Sequence, residues 1–150
     1  MKKIKNSKGF TLMEMLIVVA IIAVLVAIAI PTFTTSLNKA RVATDEANIR
    51  SGYAAVMADV LTNQITTEAT GNAAGNAVSK VYTLAVDGTV KADGITNTAG
   101  DYSTFGKPDA AVSIAGMSVG PWSKDQHVYY SYDGQTNKVT ITVAATAPTN

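Results

Sequence analysis

The chain has 150 residues, no cysteine, one histidine and a formal net charge of +1. Without thiols there are no disulfide staples, no Cys-His nucleophile pair and no cysteine-based zinc site, and His127 alone leaves too few ligands for the histidine-based ones. Four of the 12 Lys and Arg residues lie in the first nine positions, so the remainder carries eight against 11 acids and offers no basic footprint for nucleic acid.

Residues 1–9, MKKIKNSKG, hold Lys2, Lys3, Lys5 and Lys8 and no acid. By the positive-inside rule this end stays cytoplasmic. Residues 10–30 are then almost wholly apolar, and as a helix they would span about 31 Å, the thickness of a hydrocarbon core. Their one charge is Glu14. A carboxylate near a bilayer core costs roughly 2.5–3.5 kcal/mol on insertion scales, so its presence marks a function and a partner. Pro31, Thr32 and Phe33 follow in place of a small-residue cleavage site, so the apolar segment is expected to survive processing. Composition alone equally allows the uncleaved anchor of a membrane enzyme.

The residues themselves narrow this. Gly9-Phe10-Thr11-Leu12-Met13-Glu14, continued by MLIVVAIIAVLVAIAI to Pro31, resembles the class III signal of type IV pilins and pseudopilins: a short basic leader, a glycine, an aromatic residue, a glutamate at the fifth position from it, and a closing proline. Met15 stands where the family more often has leucine, and Ala23 where many members have glycine. The resemblance implies cleavage after Gly9 by a prepilin peptidase, N-methylation of Phe10 and assembly into a helical filament. Cleavage would uncover an α-amino group on Phe10, cationic at neutral pH. That amine and the Glu14 carboxylate of a neighbouring subunit could neutralise each other in an apolar array, where an unpaired charge is strongly unfavourable. Pro31 removes a backbone hydrogen bond and crowds Ala27, which predicts a kink or local opening there.

Beyond Thr32 the composition turns mixed, with Leu37, Ala40, Ala43, Ala47, Ile49, Tyr53, Val56, Val60 and Leu61 recurring at helical spacing. The helix is expected to continue as an amphipathic rod to about residue 62 or 63, roughly 80 Å from Phe10. Arg41 with Asp45, and Glu46 with Arg50, are spaced for i,i+4 pairs on solvated helix faces, or for pairing between subunits. Residues 63–77 read as a loop. Strands are expected at 78–86, 112–117, 127–132 and 138–143. In the last two, Val128, Tyr130 and Tyr132 alternate with Tyr129 and Ser131, Asp133-Gly134 signals a turn, and Val139, Ile141 and Val143 alternate with threonines. Tyr82, Tyr102, Tyr129, Tyr130, Tyr132, Trp122 and Phe105 read as core and cross-strand pairs more readily than as an adhesive surface.

Other constellations fail on their chemistry. Ser36-Leu37-Asn38-Lys39 fits Ser-x-x-Lys without its companion motifs, and residues 100–107 imitate a phosphate loop with one residue too many and Pro108 in place of the magnesium-binding hydroxyl. His127 is expected to open a strand. The expected fold is α+β: a leader over 1–9, a transmembrane or filament-core helix over 10–31, and a head over 32–150 in which the amphipathic helix packs on a small antiparallel sheet. The absence of cysteine tilts the source toward a Gram-positive or otherwise unstapled lineage. The function expected is a non-enzymatic pilus subunit, without cofactor or metal, held in the cytoplasmic membrane before assembly and in an extracellular filament afterwards. Its partners would be further copies of itself, the prepilin peptidase, a platform protein and an assembly ATPase. A minor pilin, a pseudopilin of competence or type II secretion, and a membrane-tethered adhesin that never polymerises are the alternatives.

Overall fold

The computed structural model of the chain describes residues 9–62, 80–92 and 101–148. The expected loop over 63–77, and most of the leader, lie outside the described residues. Two compact units divide the chain, Met1–Leu37 and Asn38–Asn150, and one helix, α1 (Leu12–Thr62), contributes residues to both.

In the first unit the helix is bare. Ile17 is 52% exposed, Leu25 61% and Phe33 67%. Its hydrophobicity is not confined to one stripe, which suits a segment surrounded by lipid or by other helices and not one leaning on a single core. Pro31 lies inside the helix, and hydroxyls crowd the turn after it: Thr32 donates to the carbonyl of Ile28 at 3.1 Å, Thr34 and Thr35 donate to that of Pro31 at 2.9 and 3.0 Å, and Ser36 to that of Thr32 at 3.0 Å. These bonds absorb the polarity of four side chains along the helix.

The second unit is built on a four-stranded antiparallel sheet in the order β2-β1-β5-β6, with β1 Lys80–Leu84, β2 Val90–Ala92, β5 His127–Asp133 and β6 Lys138–Ala144. Tyr130 pairs with Tyr82 on one side and Ile141 on the other, so the alternating residues of three strands share a face. That face packs on the second half of α1 through Ile49, Val56, Tyr82, Leu84, Val128, Tyr130 and Ile141. Tyr129, on the opposite face of β5, is fully buried as well, so this strand is covered on both sides. Of the seven aromatic residues expected in the core, Tyr82, Tyr102, Tyr129, Tyr130, Tyr132 and Trp122 are buried and Phe105, at 51% exposed, is the exception.

Two expectations need correction. The segment 112–117 is not one strand but most of a hairpin, β3 (Val112–Ile114) and β4 (Met117–Val119), because Ala115 and Gly116 both take positive φ, 51° and 81°, as a two-residue type I′ turn requires. The short β2 gave no period long enough to read. The second concerns the helix face. The buried residues of α1 are Asp45, Ile49, Gly52 and Val56, with Tyr53 and Val60 packed beside them, whereas Leu37, Ala40, Ala43, Ala47 and Leu61 are exposed. Apolar periodicity found Ile49, Tyr53, Val56 and Val60 but not the whole stripe, because two of its four buried positions are an acid and a glycine. Gly52 is required by proximity: a Cβ there would meet the Tyr130 hydroxyl, which donates to the Ile49 carbonyl at 2.8 Å, and would lie 2.8 Å from Leu84 Cδ1.

Candidate functional site

The N-terminal site is a turn of helix and its approach. Gly9 and Phe10 are exposed, and nothing lies within 4 Å of where a Cβ on Gly9 would stand. Thr11 precedes the first helical residue and its hydroxyl oxygen accepts from the Glu14 amide at 3.3 Å. The Glu14 carboxylate in turn accepts from the Thr11 amide at 2.8 Å and the Thr11 hydroxyl at 2.9 Å. This reciprocal arrangement is a capping box, which satisfies amides that the first turn of any helix leaves free. The signal was present as Thr-x-x-Glu ahead of an apolar run, and the sequence reading of Glu14 as a partner for an amine passed over it. The geometry gives Glu14 a local task in the intact chain: it starts the helix.

A second polar site was not foreseen. Asp45, read from sequence as the solvated partner of Arg41, is completely buried. Its carboxylate accepts from the Tyr102 hydroxyl at 2.6 Å, from the Phe105 amide at 3.0 Å to each oxygen, from the Gly106 amide at 2.7 Å and from the Trp122 indole N–H at 3.4 Å. Asn48, one turn on, donates to the Tyr102 hydroxyl at 3.0 Å. The stretch that imitates a phosphate loop thus does aim backbone N–H groups at an anion, and the anion is the chain's own side chain. Among the described residues the ion pairs are Lys91–Asp101 and Lys124–Asp125, so neither Arg41–Asp45 nor Glu46–Arg50 forms. The helix holds this loop at close range: a Cβ on Gly106 would stand 2.5 Å from the Val42 nitrogen and 2.9 Å from its Cα. Gly106→Ala must therefore push the loop off Asp45, and a loss of about 2–4 kcal/mol is expected in urea unfolding followed by the fluorescence of Trp122, the chain's one tryptophan.

Burial pushes the phenols of Tyr102 and Tyr130 well above the ordinary tyrosine range, with the hydrogen bond to Asp45 adding to the effect at Tyr102. Unfolded tyrosines release their protons near pH 10, which the folded state still holds there. Stability from these groups is therefore complete below about pH 10 and falls as the pH rises further. In an alkaline titration followed by phenolate absorbance, these two should ionise only with unfolding, and Tyr102→Phe or Tyr130→Phe should each remove amplitude from that late phase.

The remaining candidates resolve into structure. His127 opens β5, and its Nδ1 lies 3.1 Å from the Tyr102 carbonyl. Among the described residues no group of three or more His, Asp or Glu side chains could hold a metal ion.

A bare apolar N-terminal helix with a capped acid in its first turn, continuing into a helix packed on a small antiparallel sheet, is the α+β architecture of pilin-like proteins. A family model described as the prokaryotic N-terminal methylation motif matches residues 4–30. The chain is also similar to the type IV narrow pilus major component PilA5 of Thermus thermophilus, 50% identical over 52 residues that cover 33% of this chain and 45% of that protein. The aligned stretch thus spans less than half of the curated relative. No solved structure matches the chain. The chain thus carries the prokaryotic N-terminal methylation motif and is similar to a type IV pilin over about a third of its length, and its α1 is long and apolar enough to cross a membrane.

Proposed function

We propose that the protein is a non-enzymatic structural subunit of a type IV pilus. The observation that carries this reading is the segment over residues 10–33, nearly all of it the first part of α1, whose large apolar side chains are all exposed and whose one charge is Glu14. Such a surface is stable only in lipid or against other apolar helices, and a filament core offers the second after the membrane has offered the first. A prepilin peptidase cleaves after Gly9, Phe10 becomes the methylated N-terminus, and a platform protein and assembly ATPase move the subunit from the cytoplasmic membrane into an extracellular filament of its own copies. Glu14 neutralises the new amine of a neighbour, and Pro31 is the flex point of the helix. The relative's name as a major component supports a main subunit over a minor pilin or pseudopilin. Mass spectrometry of fibres sheared from the native host tests the pathway: the subunit should begin at a methylated Phe10, and fibres beginning at Met1 would overturn it.

A further inference from the structure

The second unit holds all its sulfur in one place. Of the five methionines, Met1, Met13 and Met15 belong to the first unit, and with no cysteine in the chain only Met57 and Met117 remain for the second. One stands on α1 and the other opens β4, yet both line a single cavity of about 390 Å³, together with Tyr53, Thr136, Asn137 and Lys138 among others. Each is half-buried and packs against the hydrophobic core. Leucine, of similar volume, would fill such positions as well, so packing alone does not call for sulfur.

The polar lining sets the site apart. The Asn137 side-chain carbonyl accepts from the Tyr132 hydroxyl at 2.7 Å and the Thr136 hydroxyl donates to Asp133 at 2.6 Å, so those groups are committed. The Asn137 amide N–H groups, the Lys138 ammonium and the Tyr53 hydroxyl find no acceptor among the described residues, and no carboxylate lines the cavity. Three donors thus surround two thioethers, which are weak acceptors. Oxidation turns each sulfur into a polar group with an oxygen that accepts strongly.

We infer that Met57 and Met117 form a reversible oxidation site, at which the sulfoxides made by hydrogen peroxide are held by Tyr53, Asn137 and Lys138. In each step a sulfur lone pair attacks one peroxide oxygen and the O–O bond breaks. The proton of the transferred oxygen passes to the departing hydroxide, giving sulfoxide and water; sulfur loses two electrons and the peroxide gains them. Among purely apolar neighbours a sulfoxide would bury an unpaired oxygen and loosen the fold. Here the exposed Asn137 and Lys138 supply donors, so the second unit takes up two equivalents of oxidant and stays folded.

The test treats the full chain in detergent with dilute hydrogen peroxide and combines peptide mass mapping with urea unfolding followed by Trp122 fluorescence. Met57 and Met117 should each gain one oxygen while the unfolding midpoint stays where it was, and the two methionine sulfoxide reductases, one for each epimer, should remove both oxygens. Met57→Leu with Met117→Leu should keep the fold and leave the cavity inert to peroxide. In Tyr53→Phe with Lys138→Ala, treatment should lower the ratio of folded to unfolded chains by about tenfold, because the new oxygens lack donors. Tyr53→Phe with Lys138→Arg, which keeps one, should recover most of that loss. Each comparison is made on the same variant before and after treatment, so a weaker starting fold does not obscure it. A parent that is destabilised as much as the donor-poor variant, or a donor-poor variant as tolerant as the parent, would overturn the inference. So would cavity methionines that resist peroxide or that the reductases fail to restore.

Discussion

Replacing Asp45 by alanine is expected to remove about 3–6 kcal/mol of stability from the second unit, a large part of the 5–15 kcal/mol that holds a typical domain together. The carboxylate is completely buried and receives two backbone amides, a phenol and an indole N–H from residues 57 to 77 positions away. Truncation leaves the Phe105 and Gly106 amides without an acceptor, at roughly 1–3 kcal/mol each, and frees the Tyr102 hydroxyl. Asp45→Asn keeps the shape but turns one acceptor into a donor that faces donors, so it should cost less than alanine and more than Tyr102→Phe, which removes the bond the phenol gives Asp45 and the one it takes from Asn48, about 1–2 kcal/mol in all. Urea unfolding of the full chain in detergent, followed by Trp122 fluorescence, would order the three. If Asp45→Ala unfolds at the parent's midpoint, the carboxylate is incidental. Because Gly106 acts on the same contact, the loss in a double variant with Gly106→Ala should fall well short of the sum of the two singles.

That the sequence hid this contact is instructive. An acid four residues after Arg41, on a helix with other charges, has the local pattern of a solvated face, and only a loop some 60 residues away turns it inward. Side chains whose period is set by local backbone geometry were readable: Val128, Tyr130 and Tyr132 against Val139 and Ile141 gave β5, β6 and the turn at Asp133. Partners chosen by tertiary contact were not. Ala115 at positive φ gave no sign of a turn, since alanine there pays a steric cost that only the finished hairpin offsets. Glu14 is the intermediate case. Its charge within an apolar run announced a function, while its bond to Thr11 three residues earlier, equally local, became evident only in the structure.

Glu14→Gln should nearly abolish filament assembly while leaving cleavage after Gly9 and membrane insertion intact. The capping box gives this substitution its discriminating power. Glutamine at the same position can still accept from the Thr11 amide, so the start of the helix is preserved and only the charge is lost. If Glu14 serves assembly by neutralising the amine that cleavage uncovers on a neighbour, removing the charge leaves that amine unpaired among apolar helices, a penalty of several kcal/mol per subunit that a repeating contact cannot absorb. If instead Glu14 serves only to cap, Glu14→Gln should assemble like the parent, and Thr11→Ala, which removes the hydroxyl partner but keeps the carboxylate, should be the damaging change, at about 0.5–2 kcal/mol of helix stability. The charge-pairing reading predicts the reverse order: fibres sheared from cells are abundant for Thr11→Ala and scarce for Glu14→Gln. Mass spectrometry of the membrane-bound pool should find both variants beginning at Phe10, which places the defect after processing. Equal fibre yield from Glu14→Gln and the parent would leave the acid as a helix cap alone, and would require some other group to neutralise the terminus within the filament.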